Sequence, residues 1–345
     1  MSPQPELSII IVNWHSAEHL RACVASIFSE QSDVSFEVLV IDNASHDGGG
    51  EMLQRYFPQV RFLQSARNLG FAAANNLAFA FSAGRSLLFL NPDAELVGPA
   101  LRRMLDALWG MPDAGIVGPR LVSPGLSPQS NCMRCLPTVL NQLLDSSFSR
   151  GICPRWWGFD VVKRESHEPV PAAVVPGTCL MVRRNVFLES GLFNAAYFMY
   201  AEDVDLCCQA RKLGWKSYYV HDAVVIHHGG RSSRLQSGEA FPAVLMRESV
   251  WKFLNVNRGR TYAALYRATT ALAAAGRMVA CSGLRLAGSR DRRHRWRTAA
   301  RKWWRVLRWS LGLEGWARGL GAPPAGAAPV FKLHPALAPE KRLRA

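Results

Sequence analysis

The chain has no run of about 18 uninterrupted apolar residues; Arg267, Arg277 and Arg285 cut the best candidate, so no membrane-spanning helix is expected. Its amino terminus, Met1-Ser-Pro-Gln-Pro-Glu6, carries no basic residue, and the apolar run 7–12 stops at Asn13, too short for a secretory leader. Three chemical signatures are missing as well: a Gly-x-Gly-x-x-Gly after the first strand, a phosphate-loop Gly-Lys-Ser/Thr and a Gly-x-Ser-x-Gly elbow. Dehydrogenase, ATPase and hydrolase readings lose weight together. Cys132-Met-Arg-Cys135 with Cys153 and His167 lacks the second Cys-x-x-Cys of a zinc site. The eight irregularly spaced cysteines therefore read as buried, reduced thiols of a cytosolic protein.

Acidic side chains are scarce in one region only. The first 230 residues hold 18 basic and 21 acidic groups, whereas the last 115 hold 23 and 5. The whole excess behind the formal charge of +15 lies in the last third. That third reads as an appendage for a negatively charged partner, and the front as an ordinary globular unit. With 345 residues, 49% of them hydrophobic and 19% charged, disorder is excluded and about two structural units are expected.

Residues 7–12 and 36–41 are short β-branched runs ending in polar groups, with a helical stretch at 17–29 between them. A short strand at 61–63, an Ala-rich helix over 68–83 and a buried strand at 86–90 follow. Alternating strands and helices imply an α/β fold with a mostly parallel sheet covered on both faces. Ligands bind such sheets beyond the carboxyl ends of the strands, which directs attention to Asn13, Asp42 and Asp93. Residues 123–171, rich in Pro, Ser and Arg, read as an irregular insertion. Further strands are expected at 172–175, 180–182, 217–220 and 223–226, with a helix at 202–213.

Several polar clusters have bland readings when taken singly. Val40-Ile-Asp-Asn43 and Asn68-Leu-Gly70 suit turns and helix caps. Asn91-Pro-Asp93 after a buried strand suits either a turn or a divalent cation bridging two phosphates. Glu202-Asp203-Val-Asp205 packs three carboxylates into four residues, an arrangement that needs a helix amino terminus, a cation or a reacting proton. His227-His-Gly-Gly-Arg231 combines imidazoles for a metal, glycines for close backbone approach and a guanidinium for developing negative charge.

Together, and in this order, Ser8-Ile-Ile-Ile-Val-Asn-Trp14, Val40-Ile-Asp-Asn43, Asn68-Leu-Gly-Phe71, Leu90-Asn-Pro-Asp93, Phe198-Met-Tyr-Ala-Glu-Asp-Val-Asp205 and His227-His-Gly-Gly230 resemble the inverting family-2 glycosyltransferases with the GT-A fold. The resemblance covers about 7–251, and the wording of the third-last and penultimate motifs is most similar to bacterial rhamnosyltransferases of cell-envelope polysaccharide assembly. It implies a nucleotide-sugar donor, probed by Asn13, Asp42 at the base, Asn68, Asn91 and Arg231, and a Mg²⁺ or Mn²⁺ cofactor held by Asp93 with His227 or His228. Asp203 is implied as the catalytic base, with Glu202 beside it. The chain departs from the family at Asn91-Pro-Asp93, where Asp-x-Asp is common, and at Phe193-Asn-Ala195, where Phe-Asp-Glu is common.

In the last third, Trp296, Ala300, Trp303, Trp304, Leu307 and Leu311 fall on one helical face, and Arg295, Arg297, Arg301, Lys302, Arg305 and Arg308 on the other. Such a helix suits an anionic membrane surface or docks on the protein's own core, and 262–286 reads as a second one. The expected organisation is a catalytic unit at 1–255, a membrane-association region at 256–315 and a flexible tail at 316–345. Expected partners are the donor, a lipid-linked or glycan acceptor and the inner face of the cell membrane, on the cytoplasmic side. A nucleic-acid-binding protein is the rival of another class, disfavoured because the globular unit is net acidic. A nucleotidyltransferase is the rival among enzymes.

Overall fold

The computed structural model describes residues 4–30, 33–129, 135–144, 166–229, 240–284, 290–320 and 331–333. The β-branched run Leu7–Asn13 forms β1, buried at every position because helices cover both faces of the sheet. Helix α1 (Ala17–Ser29) lays Leu20, Cys23, Val24 and Ile27 against it, the spacing of one helical face. There follow β2 (Phe36–Asp42), α2 (Gly49–Tyr56), β3 (Arg61–Ser65), α3 (Gly70–Phe79), β4 (Ser86–Leu90), β5 (Ala94–Val97), α4 (Ala100–Gly110) and β6 (Ala114–Val122). The chain continues through α5 (Val139–Leu143), β7 (Val170–Ala172), β8 (Cys179–Arg183), α6 (Arg184–Glu189), α7 (Glu202–Lys212) and β9 (Lys216–His227). Four helices, α8 (Ala240–Arg258), α9 (Arg260–Leu284), α10 (Arg290–Ser310) and α11 (Gly315–Gly319), precede β10 (Phe331–Leu333).

The strand order is β10-β3-β2-β1-β4-β8-β6-β9-β5, with β7 paired to β9. The half built by β3, β2, β1 and β4 is parallel, as the alternating pattern implies. Beyond β4 the sheet is mixed: β8 runs antiparallel to both β4 and β6, and β9 pairs parallel with β6 but antiparallel with β5 and β7. One long β9 replaces the two strands expected at 217–220 and 223–226. Its register against β6 slips between Pro119 and Arg120, which absorbs the irregularity without breaking the strand.

Helix α8 runs through residue 255, and its Val244, Val250, Phe253 and Leu254 belong to the same buried core as the sheet. The break comes at Gly259, in the left-handed region, before α9. The greasy face expected on α10 is not free. Val306 and Trp309 are fully buried and Trp303 and Leu307 half-buried, because α10 packs along α9 and α8. The buried indole N–H of Trp309 needs an acceptor and donates to Glu248 of α8 at 2.7 Å. Trp304, 48% exposed, points away from that contact. Large apolar groups left facing outward in this region are Val256 of α8, Leu265, Leu272, Val279 and Leu284 of α9, and Trp304, Leu311 and Leu313. In the segment read as a flexible tail, α11 follows α10 directly and β10 adds an antiparallel strand to β3. No described helix is long and apolar enough to cross a membrane.

Candidate active site

The parallel pairing sets Asn13 level with Asp42 at the carboxyl ends of β1 and β2. Asn13 Nδ2 donates to Asp42 Oδ1 at 2.8 Å, and the hydroxyl of Ser45 donates to the same oxygen. The other carboxylate oxygen accepts from the Ser45 and His46 amides at 3.0 and 3.2 Å and from Gln64 Nε2 at 2.7 Å. Burial pushes this carboxyl upward, but the hydrogen bonds from Ser45, Gln64, Asn13 and His46 outweigh it and hold it below the usual carboxylate range. Asp47 accepts from the Ser16 and Ala17 amides at 2.8 and 2.9 Å and so closes the start of α1. Between Asp42, Asp47, the glycines 48–50 and Gln64 lies a cavity of about 260 Å³.

Asn68 serves a loop. Its side-chain oxygen accepts from Asn43 Nδ2 and the Gly70 amide, both at 2.9 Å, while Asn43 accepts from the Leu69 amide. Gly70 has φ of +77°, and a Cβ there would stand 2.2 Å from the carbonyl oxygen of Phe198. The next amide, Phe71 N–H, donates to that same carbonyl at 2.6 Å. Two motifs more than a hundred residues apart are thereby pinned together, and only glycine fits between them.

Asp93 and His227 face each other at the junction of β4, β5 and β9. The antiparallel register aligns Ala94 with His227, and His227 Nε2 lies 3.5 Å from Asp93 Oδ1. Gln129 grips the histidine at two points: its Oε1 is 2.9 Å from His227 Nδ1, and its Nε2 donates to the His227 carbonyl at 2.6 Å. These two contacts fix the ring so that Nε2 faces Asp93. His228 turns elsewhere, its Nε2 2.6 Å from Glu95. Of the two imidazoles, His227 is the one beside Asp93. Asp93 and His227 supply one oxygen and one nitrogen donor, a pair that fits a divalent cation when other ligands complete the shell. Among the described residues no group of three or more His, Cys, Asp or Glu could hold a metal ion alone.

Asp203 opens α7. Two consecutive non-glycine residues in the left-handed region, Tyr200 at φ +74° and Ala201 at φ +65°, turn the chain sharply into the helix. Such backbone is costly and is held here by its surroundings. The Asp203 carboxylate, 6% exposed as a residue, accepts from the amides of Val204 at 2.8 Å and Gly177 at 2.9 Å. Glu202 and Asp205 are buried beside it. Asp205 accepts from Gln209 and from Asn257 of α8, both at 3.1 Å. Burial, reinforced by the charges of Asp205 and Glu202, pushes the phenol of nearby Tyr197 well up, so it remains protonated. The residue after Gly177 completes the link, since Thr178 C=O accepts from the Asn91 amide at 2.9 Å. Asp203 and the Asn91-Pro-Asp93 turn therefore share one short support, the approach to β8.

The pattern defining the glycosyl transferase family 2 matches residues 8–190, more than half of the chain. The chain belongs to that family. A second pattern, glycosyl transferase family group 2, matches residues 135–320. This glycosyltransferase is 32% identical over 240 residues to the N-acetylglucosaminyl-diphospho-decaprenol L-rhamnosyltransferase of Mycobacterium tuberculosis, covering 66% of this chain and 77% of that one. It is 28% identical over 211 residues to the low-salt glycan biosynthesis hexosyltransferase Agl10 of Haloferax volcanii, covering 60% and 62%. Its fold is similar to that of the mannosyltransferase PcManGT from Pyrobaculum calidifontis, solved with GDP-Man and Mn²⁺, with a TM-score of 0.55 at 14% identity over 90% of this chain and 88% of that one. The α/β architecture of the glycosyltransferase is thus GT-A-like, with a helical carboxyl-terminal extension.

Asn13, Asp42, Asn68, Asn91, Asp93, Glu202, Asp203, His227 and His228 all lie at or just past strand ends or at the start of α7. Asn13 and Asn68 spend their side-chain hydrogen bonds on neighbouring loops, and His228 joins Glu95 rather than Asp93. Arg231, and Cys132 and Cys153 of the weak zinc set, lie outside the described residues. Cys207 is a buried free thiol pushed up to about 12 chiefly by burial, which suits a packing role. Gln129, Gln64, Gly177 and Glu95 escape sequence reasoning. A lone glutamine 98 residues from its histidine carries no local signal; Gly177 alone offered one, as a glycine turn before a strand.

Proposed function

We propose that this glycosyltransferase moves a sugar with inversion, L-rhamnose from dTDP-L-rhamnose, onto a hydroxyl of a lipid-linked acceptor in cell-envelope glycan synthesis. The similarity to the mycobacterial N-acetylglucosaminyl-diphospho-decaprenol L-rhamnosyltransferase supports both the sugar and the lipid-linked acceptor. The observation that carries the reaction type is the seat of Asp203, fixed by two backbone amides on the support it shares with Asn91-Pro-Asp93.

The acceptor oxygen attacks the anomeric carbon from the face opposite the nucleoside diphosphate. Asp203 takes the hydroxyl proton as the new C–O bond forms and the bond to the diphosphate oxygen breaks. A general base of this kind contributes about 10²–10⁴-fold. The base and ribose enter the cavity beside Asp42, where the glycines 48–50 allow close backbone approach. Asp93 and His227 would hold a Mg²⁺ or Mn²⁺ ion, which when bound offsets charge on the leaving diphosphate. Gln129 keeps His227 Nε2 directed at Asp93. Arg231, which follows this histidine pair, is assigned to the diphosphate.

The protein works at the inner membrane surface on its cytoplasmic side, through the outward apolar groups of α9 and α10 among exposed arginines. Nucleic acid is a poorer partner, because three of the indoles that would stack bases already carry arginines, Arg267 over Trp251 and Trp309 and Arg277 over Trp303, which leaves Trp304 as the exposed one of this helix bundle. A thermal-shift panel of nucleotide sugars with Mn²⁺ tests the donor. The largest shift is expected with dTDP-L-rhamnose; a larger one with another donor overturns the rhamnose assignment, and no shift with any overturns sugar transfer.

A further inference from the structure

Parallel pairing of β2 with β3 sets Gln64 level with Asp42, so the two residues stand side by side at the carboxyl ends of their strands. Gln64 Nε2 donates to Asp42 Oδ2 at 2.7 Å and to the Ser65 carbonyl at 3.1 Å. Both partners are acceptors, the Asp42 carboxyl being held low despite its burial by the hydrogen bonds it receives. The orientation of the Gln64 amide follows: its nitrogen faces Asp42 and its oxygen turns away.

Asp42 itself has little left to offer a ligand. Five donors meet its two oxygens, Asn13 Nδ2 and the Ser45 hydroxyl at one, and the Ser45 amide, the His46 amide and Gln64 Nε2 at the other. A carboxylate has roughly four lone-pair sites, and the residue is 2% exposed. Gln64 Oε1 is the opposite case. It has no hydrogen-bond partner among the described residues and is not buried, and Gln64 lines the cavity of about 260 Å³ beside the glycines 48–50. Phe62, two residues back on the same face of β3, lines that cavity too, its ring 2.7 Å from where a Cβ on Gly50 would stand. Asp47 and Glu51 are also in the wall, which disfavours a phosphate there and favours the uncharged end of a nucleotide. An open acceptor beside a flat aromatic ring complements a base that carries N–H on its edge.

We propose that Gln64 selects the nucleobase of the donor: its Oε1 accepts the ring N–H of thymine or uracil, and Asp42 acts behind it as a positioning residue that keeps the amide from turning over. The base contact that the family resemblance assigns to Asp42 passes to Gln64. That the occupant is a nucleotide rests on the function proposed above; the selection for N–H rests on the two side chains. Cytosine presents a bare lone pair at N3, which meets the lone pairs of Oε1 and is rejected.

The test is isothermal titration of the full chain, with Mn²⁺ present, against dTDP and 5-methyl-dCDP, which differ only at N3 and at the group on C4 of the base. Wild type should bind dTDP at least tenfold more tightly. Gln64→Met, which keeps the length and removes the amide, should bring the two within threefold, chiefly by weakening dTDP. Gln64→Lys keeps a donor toward Asp42 but presents only donors to the cavity, and should abolish or reverse the preference. Gln54→Ala, at the exposed rim of the same cavity, should leave the ratio within twofold of wild type. A merely structural role for Gln64 predicts weaker binding of both nucleotides at an unchanged ratio, and a base read directly by Asp42 predicts that Gln64→Met keeps its preference. Either result, a wild-type preference below tenfold, or an equal loss of preference in Gln54→Ala would overturn the proposal while leaving nucleotide binding intact. Binding of neither nucleotide to wild type would overturn the nucleotide-sugar function as well.

Discussion

In the sheet unit the buried charges are carboxylates, Asp42, Glu202, Asp203 and Asp205. Asp203 is held by the backbone amides of Gly177 and Val204, and Asp42 by the Ser45 and His46 amides together with the side chains of Asn13, Ser45 and Gln64. In the helical extension the charges are mostly cations, kept at the surface or laid over indole faces, and Glu248 and Glu314 are the acids buried among them. Those two act as fasteners: Glu248 takes the Trp309 N–H, and Glu314 takes a two-pronged contact from Arg305 at 2.7 and 2.9 Å. The difference lies in what fixes the geometry. Backbone donors cannot swing, so the amides on Asp42 and Asp203 help to hold these carboxylates in one arrangement. Arginine over an aromatic ring is held more loosely, which suits a surface that must accommodate a fluid or variable partner.

The sharpest way to separate the regions is to damage each at its fastening point. Asp93→Ala should reduce turnover by roughly 10²–10³-fold, the loss typical of one preorganised electrostatic group. Its thermal midpoint should stay near that of wild type, measured by steady-state kinetics beside scanning calorimetry. Trp309→Ala should do the reverse, costing about 3–5 kcal/mol in the helical region while Kd for dTDP-L-rhamnose stays within threefold. Denaturant unfolding followed at two probes checks this. A parallel loss of donor binding would show that the two regions are one energetic unit.

Gly70→Ala probes the sheet unit's reliance on backbone. A methyl group cannot share the space with the Phe198 carbonyl, so a loss of about 1–3 kcal/mol or more is expected from the strained conformation, with weakened donor binding. The smallest effect is the response to acid. The carboxyls of Asp42 and Glu314 are both held low: in each, burial pushes up but hydrogen bonds, from Ser45 and Gln64 or from Arg305 and Trp316, win. A depressed carboxyl stabilises the fold above its unfolded value, about 4, and that contribution is lost as pH falls through the lower folded value. Stability should therefore hold to about pH 4 and decline below it. Asp42→Asn should flatten the part of the decline seen in the sheet unit, and Glu314→Gln the part seen in the helices.

Much of the sheet unit is written locally. Strands β1, β2 and β4 are β-branched or leucine-rich runs that stop at Asn13, Asp42 and Asn91, and the order of the polar motifs places their residues at one edge. What is not local is harder to read. The antiparallel insertion of β8 between β4 and β6 has no periodicity of its own, and it is this strand's approach that brings Gly177 to Asp203, 26 residues away. The helical extension shows the same limit more strongly. A hydrophobic face of α10 is visible in the sequence, but whether it meets lipid or protein depends on Glu248, 61 residues before Trp309. The face that docks is accordingly centred on Val306 and Trp309, and Trp304 and Leu311, assigned to that greasy side by periodicity, are left outside.

The most direct test of the account is Asp203→Asn, with kcat measured on a rhamnosyl donor and Kd for the same donor measured by calorimetry. The expected result is a fall in kcat of about 10²–10⁴-fold with donor Kd changed less than threefold. Turnover within tenfold of wild type would contradict it.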